Sequence, residues 1–170
     1  MKKLLLILFT VLIGFAFISC GNDSSVHTDW DMNSAQRRIE QVAEAVKNND
    51  KEKLKGLFSV YITEDNDFDA DIDSFMEYIK GTAVSYEIEE TPVAFDYSER
   101  EGQRKKLMYW GTLCTDEETY SLFFVDFPTD TIDEENEGLY TLRIIKEEKA
   151  DMLEGTMEDW ATPGIYVWDL

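Results

Sequence analysis

The sequence predicts an α+β domain with its helices first and its sheet after, and three observations predict it. Apolar residues recur at helical spacing from Ile39 to Ile79, the period shortens to two from Val84 onward, and the later strand-like runs are apolar on both faces. A composition of 44% hydrophobic and 13% aromatic residues is too apolar for a disordered chain. Residues 33–170 are the length of one domain able to bury a core.

Asn33 or Ser34 is the expected N-cap of the first helix, whose stripe is Ile39, Val42, Ala43 and Val46 and whose wet side carries Arg37, Arg38, Glu40, Glu44 and Lys47. Asn48-Asn49-Asp50 breaks it. Asp50 then caps a second helix built on Leu54, Leu57 and Phe58. Ile72, Phe75, Met76 and Ile79 mark a third, which Asp71 or Asp73 would cap and Gly81 would end. Val84, Tyr86 and Ile88 alternate with Ser85, Glu87 and Glu89, the pattern of a half-buried strand. A basic hairpin tip around Gly102 follows, then strands over Leu107–Thr115, Thr119–Phe127 and Gly138–Lys146. The expectation is three N-terminal helices packed on a bent antiparallel sheet of about four strands.

In the two middle strands Leu107, Tyr109 and Leu113 oppose Met108, Trp110 and Cys114, and Phe123, Val125 and Phe127 oppose Tyr120, Leu122 and Phe124. A sheet wet on one side alternates more cleanly, so something must cover the second face. The candidates are the C-terminal segment with Trp160, Ile165, Tyr166, Val167 and Trp168, a second copy of the chain forming a homodimer through that face, or an aromatic-lined cavity beneath the helices.

The N-terminus has a different logic. Met1-Lys2-Lys3 precedes an apolar run from Leu4 to Ile18, shorter than the roughly 20 residues a spanning helix needs, and Ser19-Cys20 follows. Phe17-Ile18-Ser19-Cys20 resembles the lipobox of bacterial lipoproteins, with Phe17 standing where Leu, Val or Ile is usual. The resemblance implies cleavage after Ser19 and acylation of Cys20, palmitate among the chains, on the extracytoplasmic face of the cell membrane. Residues 1–19 are then a signal peptide, residues 20–32 the lipidated cysteine and a polar tether containing His27, and residues 33–170 the domain.

The formal charge is −20, and because Lys2 and Lys3 leave with the signal peptide the remainder carries −22. Such a surface repels phosphate backbones and anionic lipids, which argues against nucleic acid and leaves the lipid as the membrane contact. Arg100, Arg104, Lys105 and Lys106 are the one basic cluster, read as a charged edge that discourages strand addition or as a dock for an acidic partner.

Chemistry is sparse. Asp65, Asp67, Asp69, Asp71 and Asp73 fill positions 1, 3, 5, 7 and 9 of a calcium-loop count, but Ala70 stands where the turn needs Gly and Met76 where the bidentate Glu belongs. His27 and Cys114 alone cannot build a zinc site, and no cofactor signature occurs. Cys114 reads as a small buried hydrophobe. Asp126, at the end of Leu122-Phe123-Phe124-Val125, reads first as a strand terminator facing water; with Tyr86, Tyr109 or Tyr120 it is also the residue a pocket acid or base would use.

The order of elements resembles the nuclear transport factor 2-like (cystatin-like) superfamily of cone-shaped α+β domains. Closer still, Asp50–Ser59 (DKEKLKGLFS), Asp71–Gly81 (DIDSFMEYIKG), Val84-Ser85-Tyr86, Glu137-Gly138-Leu139-Tyr140 and Pro163-Gly164-Ile165-Tyr166-Val167 resemble the clostridial lipoprotein family of domain of unknown function 5104. The resemblance implies a fold and a location and brings no functional residues. The expectation for function is a membrane-anchored module binding a small molecule or protein, with Tyr86, Tyr109, Trp110, Tyr120 and Asp126 as candidate ligand contacts. The alternative is a lyase, isomerase or hydrolase using a buried carboxylate and tyrosine in the cone pocket.

Overall fold

The computed structural model describes residues 24–100 and 102–168; the expected signal peptide, Ser19 and Cys20 lie outside them. The helices are α1 (Ser24–Lys47), α2 (Lys51–Lys55), the single turn α3 (Val60–Thr63) and α4 (Phe68–Tyr78). The strands β1 (Ala83–Ile88), β2 (Val93–Glu99), β3 (Gly102–Thr115), β4 (Thr119–Asp130) and β5 (Gly138–Lys146) follow. A 3-10 turn (Glu147–Met152), the short α5 (Met157–Trp160) and β6 (Gly164–Val167) end the described chain.

The fold is α+β as expected, but among the described residues the sheet has six strands and is mixed. Its order is β1-β3-β4-β5-β6, with β2 also pairing with β3 beside β1. β3 is long enough to hold both, β1 against residues 111–115 and β2 against residues 102–108. β6 pairs with β5 in parallel, which a chain returning through a crossover can do and a hairpin cannot.

α1 starts at Ser24, well before the expected cap at Asn33 or Ser34, so residues 24–32, expected as tether, are helical. Tertiary contact explains the extension: Asp31 is buried against the Lys105 ammonium at 2.6 Å, and that ammonium also sits 4.8 Å from the centre of the Trp30 ring. α1 then lays Ile39, Val42 and Ala43 on the sheet. It comes close because β3 has no side chain at Gly111, where a Cβ would lie 2.5 Å from Ile39 Cδ1. α4 begins at Phe68 with Asp67 at its cap position, ahead of the expected Asp71 or Asp73, because Phe68 itself is buried, edge-on to Phe58 at 5.0 Å.

In β1 the expected phase is half right. Ala83, not Val84, is buried; a register shift between Ala83 and Ser85 turns Val84 outward, 64% exposed, while Tyr86 and Ile88 keep their inward direction. Pro128, inside β4, sits where the β3–β4 register shifts, the place a strand tolerates a residue without an N–H.

The sheet separates two apolar layers. The inner one, under the helices, holds Leu107, Tyr109, Leu113, Tyr120, Leu122, Phe124, Leu142, Ile144 and Ile165 with the helical stripe. The outer one is smaller: Met108, Phe123 and Val125 are buried, with Phe95, Trp110, Phe127, Met157 and Trp160 packed around them. Of the expected covers, the C-terminal segment is the one seen in place. α5 brings Trp160 down on Phe123, ring centroids 5.8 Å apart, and β6 sends Ile165 into the inner layer.

Candidate functional site

The outer face is built in rows. Trp110, Phe123, Arg143 and Tyr166 lie side by side on β3, β4, β5 and β6, and Thr112 and Ser121 are partners in the next row. The segment after β5 folds back across these rows. Gly155 adopts φ 119°, open to glycine, and a Cβ there would lie 2.9 Å from the Trp160 indole nitrogen. Thr156 and Asp159 form a capping box on α5. Trp160 is held from both ends: its indole N–H donates to the Glu154 carbonyl at 3.2 Å, and its own carbonyl accepts from Arg143 Nε at 2.6 Å. Arg143 also spreads its guanidinium 3.9 Å from the Tyr166 ring and 5.1 Å from Trp168, and burial lowers its pKa.

Between this strap and the sheet lies a hollow of about 270 Å³ lined by Glu89, Trp110, Ser121, Glu147, Ala150, Asp151, Leu153 and Trp160. Trp110 and Trp160 meet edge to face, 5.4 Å between centroids at 80°, and form a corner of two indoles over Phe123. Two of the three carboxylates are aimed by the sheet itself. Thr112 Oγ1 donates to Glu89 at 2.8 Å, and Ser121 Oγ donates to Glu147. The lining holds three acids and no base. Such a corner can receive an apolar or cationic group of headgroup size.

Asp159 sets how firmly Trp160 is delivered. Hydrogen bonds from the Thr156 hydroxyl and backbone N–H hold its carboxyl below the ordinary aspartate value. A depressed folded value means that the stabilisation is present above the ordinary value and is lost as pH falls through the folded one. Tryptophan emission should therefore change below the usual carboxylate range, and Asp159→Ala should show the acid form of the spectrum already at pH 7. Identical spectra for the two proteins at pH 7 would count against the cap.

Of the five candidate contacts the structure brings only Tyr109 and Asp126 within reach of each other's charge. Trp110 is in the outer hollow. Tyr86 is half-buried beside a separate hollow with Ala43, Glu44 and Lys47. Tyr120 is fully buried, its hydroxyl accepting from the Lys80 N–H at 2.8 Å and donating to the Tyr78 carbonyl at 3.4 Å. Tyr109 is 1% exposed, stacked on Phe124 at 4.9 Å, with no hydrogen-bond partner at its hydroxyl.

Asp126 is a correction. It does not face water at a strand end but is 1% exposed, and Arg38, read as a wet-side residue of α1, reaches it. Arg38 Nε and Nη2 lie 3.1 and 3.0 Å from the two carboxylate oxygens, and Nη1 lies 3.3 Å from the Leu57 carbonyl. Burial raises the Asp126 carboxyl above its ordinary value against the pull of Arg38. Burial likewise opposes the Arg38 charge, but Asp126 outweighs it and the guanidinium pKa is raised. A carboxylate gripped at both oxygens is poorly placed to take a proton from a substrate. The adjoining hollow, about 170 Å³, is lined by Ser34, Arg37, Arg38, Gln41 and Pro128 besides Asp126.

The basic cluster is largely spent inside the molecule. Arg104 binds the fully buried Asp130 at 2.6 Å, Lys105 is shared between Asp31 and Asp96, and Lys106 lies 5.5 Å over Phe95. In the 65–73 stretch, Asp69 and Asp73 pair with Lys55 and Lys51, and α4 points successive acids in different directions. Among the described residues no group of three or more ligating side chains could hold a metal ion. Cys114 is half-buried and accepts a weak contact from Thr119 at 3.9 Å. Sequence reasoning missed Arg38, whose partner is 88 residues away, Glu89, for which strand alternation was the signal, and Glu147, which follows β5 in a 3-10 turn.

A mixed six-stranded sheet with helices on one face and a tryptophan-bearing strap on the other defines an α+β domain with an outer-face pocket. Residues 41–147 match the family described as a domain of unknown function (DUF5104), and the chain belongs to that family. No curated protein matches it. Among the described residues no helix is long and apolar enough to cross a membrane.

Proposed function

We propose that this protein is a lipid-anchored, extracytoplasmic binding module whose ligand site is the hollow between the sheet's outer face and the C-terminal strap. One observation carries the binding reading: the Trp110–Trp160 corner, with carboxylates oriented at its mouth, is left open beside the segment that packs on Phe123. In the inner layer Tyr109 and Tyr120 are packed and buried. The Arg38 grip on Asp126 favours binding over acid–base chemistry by that carboxylate. The order of helices and sheet supports membership of the nuclear transport factor 2-like superfamily, with the clostridial lipoproteins as the nearest setting for it.

Anchoring rests on residues 1–20. Cys20→Ala should leave the precursor uncleaved after Ser19 and unacylated, with no palmitate label incorporated. An unchanged mass and an unchanged membrane fraction would overturn it. Binding is tested by calorimetry on the full chain in non-ionic detergent. Saturable heat on adding small ligands, abolished by Trp110→Leu, is expected, and a response that ignores Trp110 would move the site elsewhere.

A further inference from the structure

We infer that the group received by the Trp110–Trp160 corner is a substituted ammonium, an inference that rests on the binding reading above. Four features of the hollow converge on that chemistry. Its walls are two indoles at 80° to each other, and the faces of such rings carry the negative lobe of the quadrupole that attracts a cation. Tryptophan gives the strongest such attraction of the aromatic residues, and the buried Phe123 ring packs against both indoles from outside the lining.

Its mouth carries Glu89, Glu147 and Asp151 and no base. Glu89 and Glu147 are not merely nearby acids, because Thr112 and Ser121, cross-strand partners on the floor, each donate a hydroxyl hydrogen bond to one of them. The neighbouring internal cations are already engaged: Arg143 with Tyr166, Trp168 and the Trp160 carbonyl, and Lys146 with Glu118 at 2.8 Å. The volume, about 270 Å³, lies just below the range of drug-sized pockets and suits a headgroup or one side-chain terminus. An anion would meet three carboxylates.

The ammonium could belong to a small quaternary amine or to a lysine side chain, and the chemistry at the corner is shared. The full chain in non-ionic detergent is titrated by calorimetry with choline, with Nα-acetyl-lysine amide and with 3,3-dimethylbutan-1-ol, the neutral isostere of choline. At least one of the two cations should bind saturably, and the isostere should bind about tenfold or more weakly, the difference expected from a desolvated cation–π contact. Tighter binding of choline assigns the site to a small quaternary amine; tighter binding of the lysine amide assigns it to a protein or peptide side chain.

The double variant Glu89→Gln with Asp151→Asn changes charge at exposed positions and leaves the indoles in place. It should weaken the cation several-fold and leave the isostere unchanged. Equal binding of cation and isostere, or no effect of the double variant, overturns the ammonium assignment. Saturable binding of the isostere alone does so too, while leaving the binding reading intact. Absence of a saturable response to all three overturns both.

Discussion

Asp126→Ala should cost about 3–5 kcal/mol of folding stability, a large share of what a domain this size possesses. The substitution strips both hydrogen bonds from Arg38 Nε and Nη2 and leaves the guanidinium largely buried beside the Leu57 carbonyl with its main counter-charge gone. The cost arises from the stranded charge more than from the lost pair. The double variant Arg38→Met with Asp126→Leu should accordingly recover most of it, since apolar groups of similar volume can replace a buried pair at little loss. Urea unfolding followed by circular dichroism reads both. A cost below about 1 kcal/mol for Asp126→Ala would mean that the pair behaves as a surface salt bridge.

Phe124→Ala is expected to cost a similar amount, about 3–5 kcal/mol. Phe124 is fully buried in the inner layer, and its ring lies parallel to Tyr109 at 4.9 Å and 11°, so truncation removes a stack as well as leaving a cavity. The helices and strands around it are fixed by several other contacts, so the void cannot collapse freely. Phe124→Leu should cost less than half as much. Phe123→Ala, one residue earlier and on the opposite face, should instead alter the near-ultraviolet spectrum, because Trp110 and Trp160 pack on Phe123. A Phe124→Ala protein as stable as the parent would contradict the two-layer arrangement.

The elements that the sequence announced are those whose evidence is local. The strand Gly138–Lys146 has the expected bounds, and the opposed apolar sets of β3 and β4 divide between the two layers as their alternation requires. The need for a second cover was legible for the same reason, and Trp160 answers it. β2 was missed although Val93, Phe95 and Tyr97 alternate with Ala94, Asp96 and Ser98, because Ser98 to Lys106 reads only as a hairpin tip. β6 was missed because four residues paired in parallel depend on a neighbour placed by the intervening strap. The Val84 error came from a bulge, which shifts phase without any mark in composition. Arg38 and Asp126 each look solvent-facing on their own segment. Only the docking of α1 across the sheet makes them a pair, and no period within either segment encodes that.

The strap has a consequence for motion. The outer layer rests on three buried side chains and on contacts within one short return of the chain, whereas the inner layer draws on every main helix and on β1 and β3 to β6. Residues 153–163 can thus lift as a subglobal opening unit while the inner layer stays intact, and amide exchange there should run far ahead of β3 and β4. The ease of that excursion would govern how quickly a guest enters and leaves.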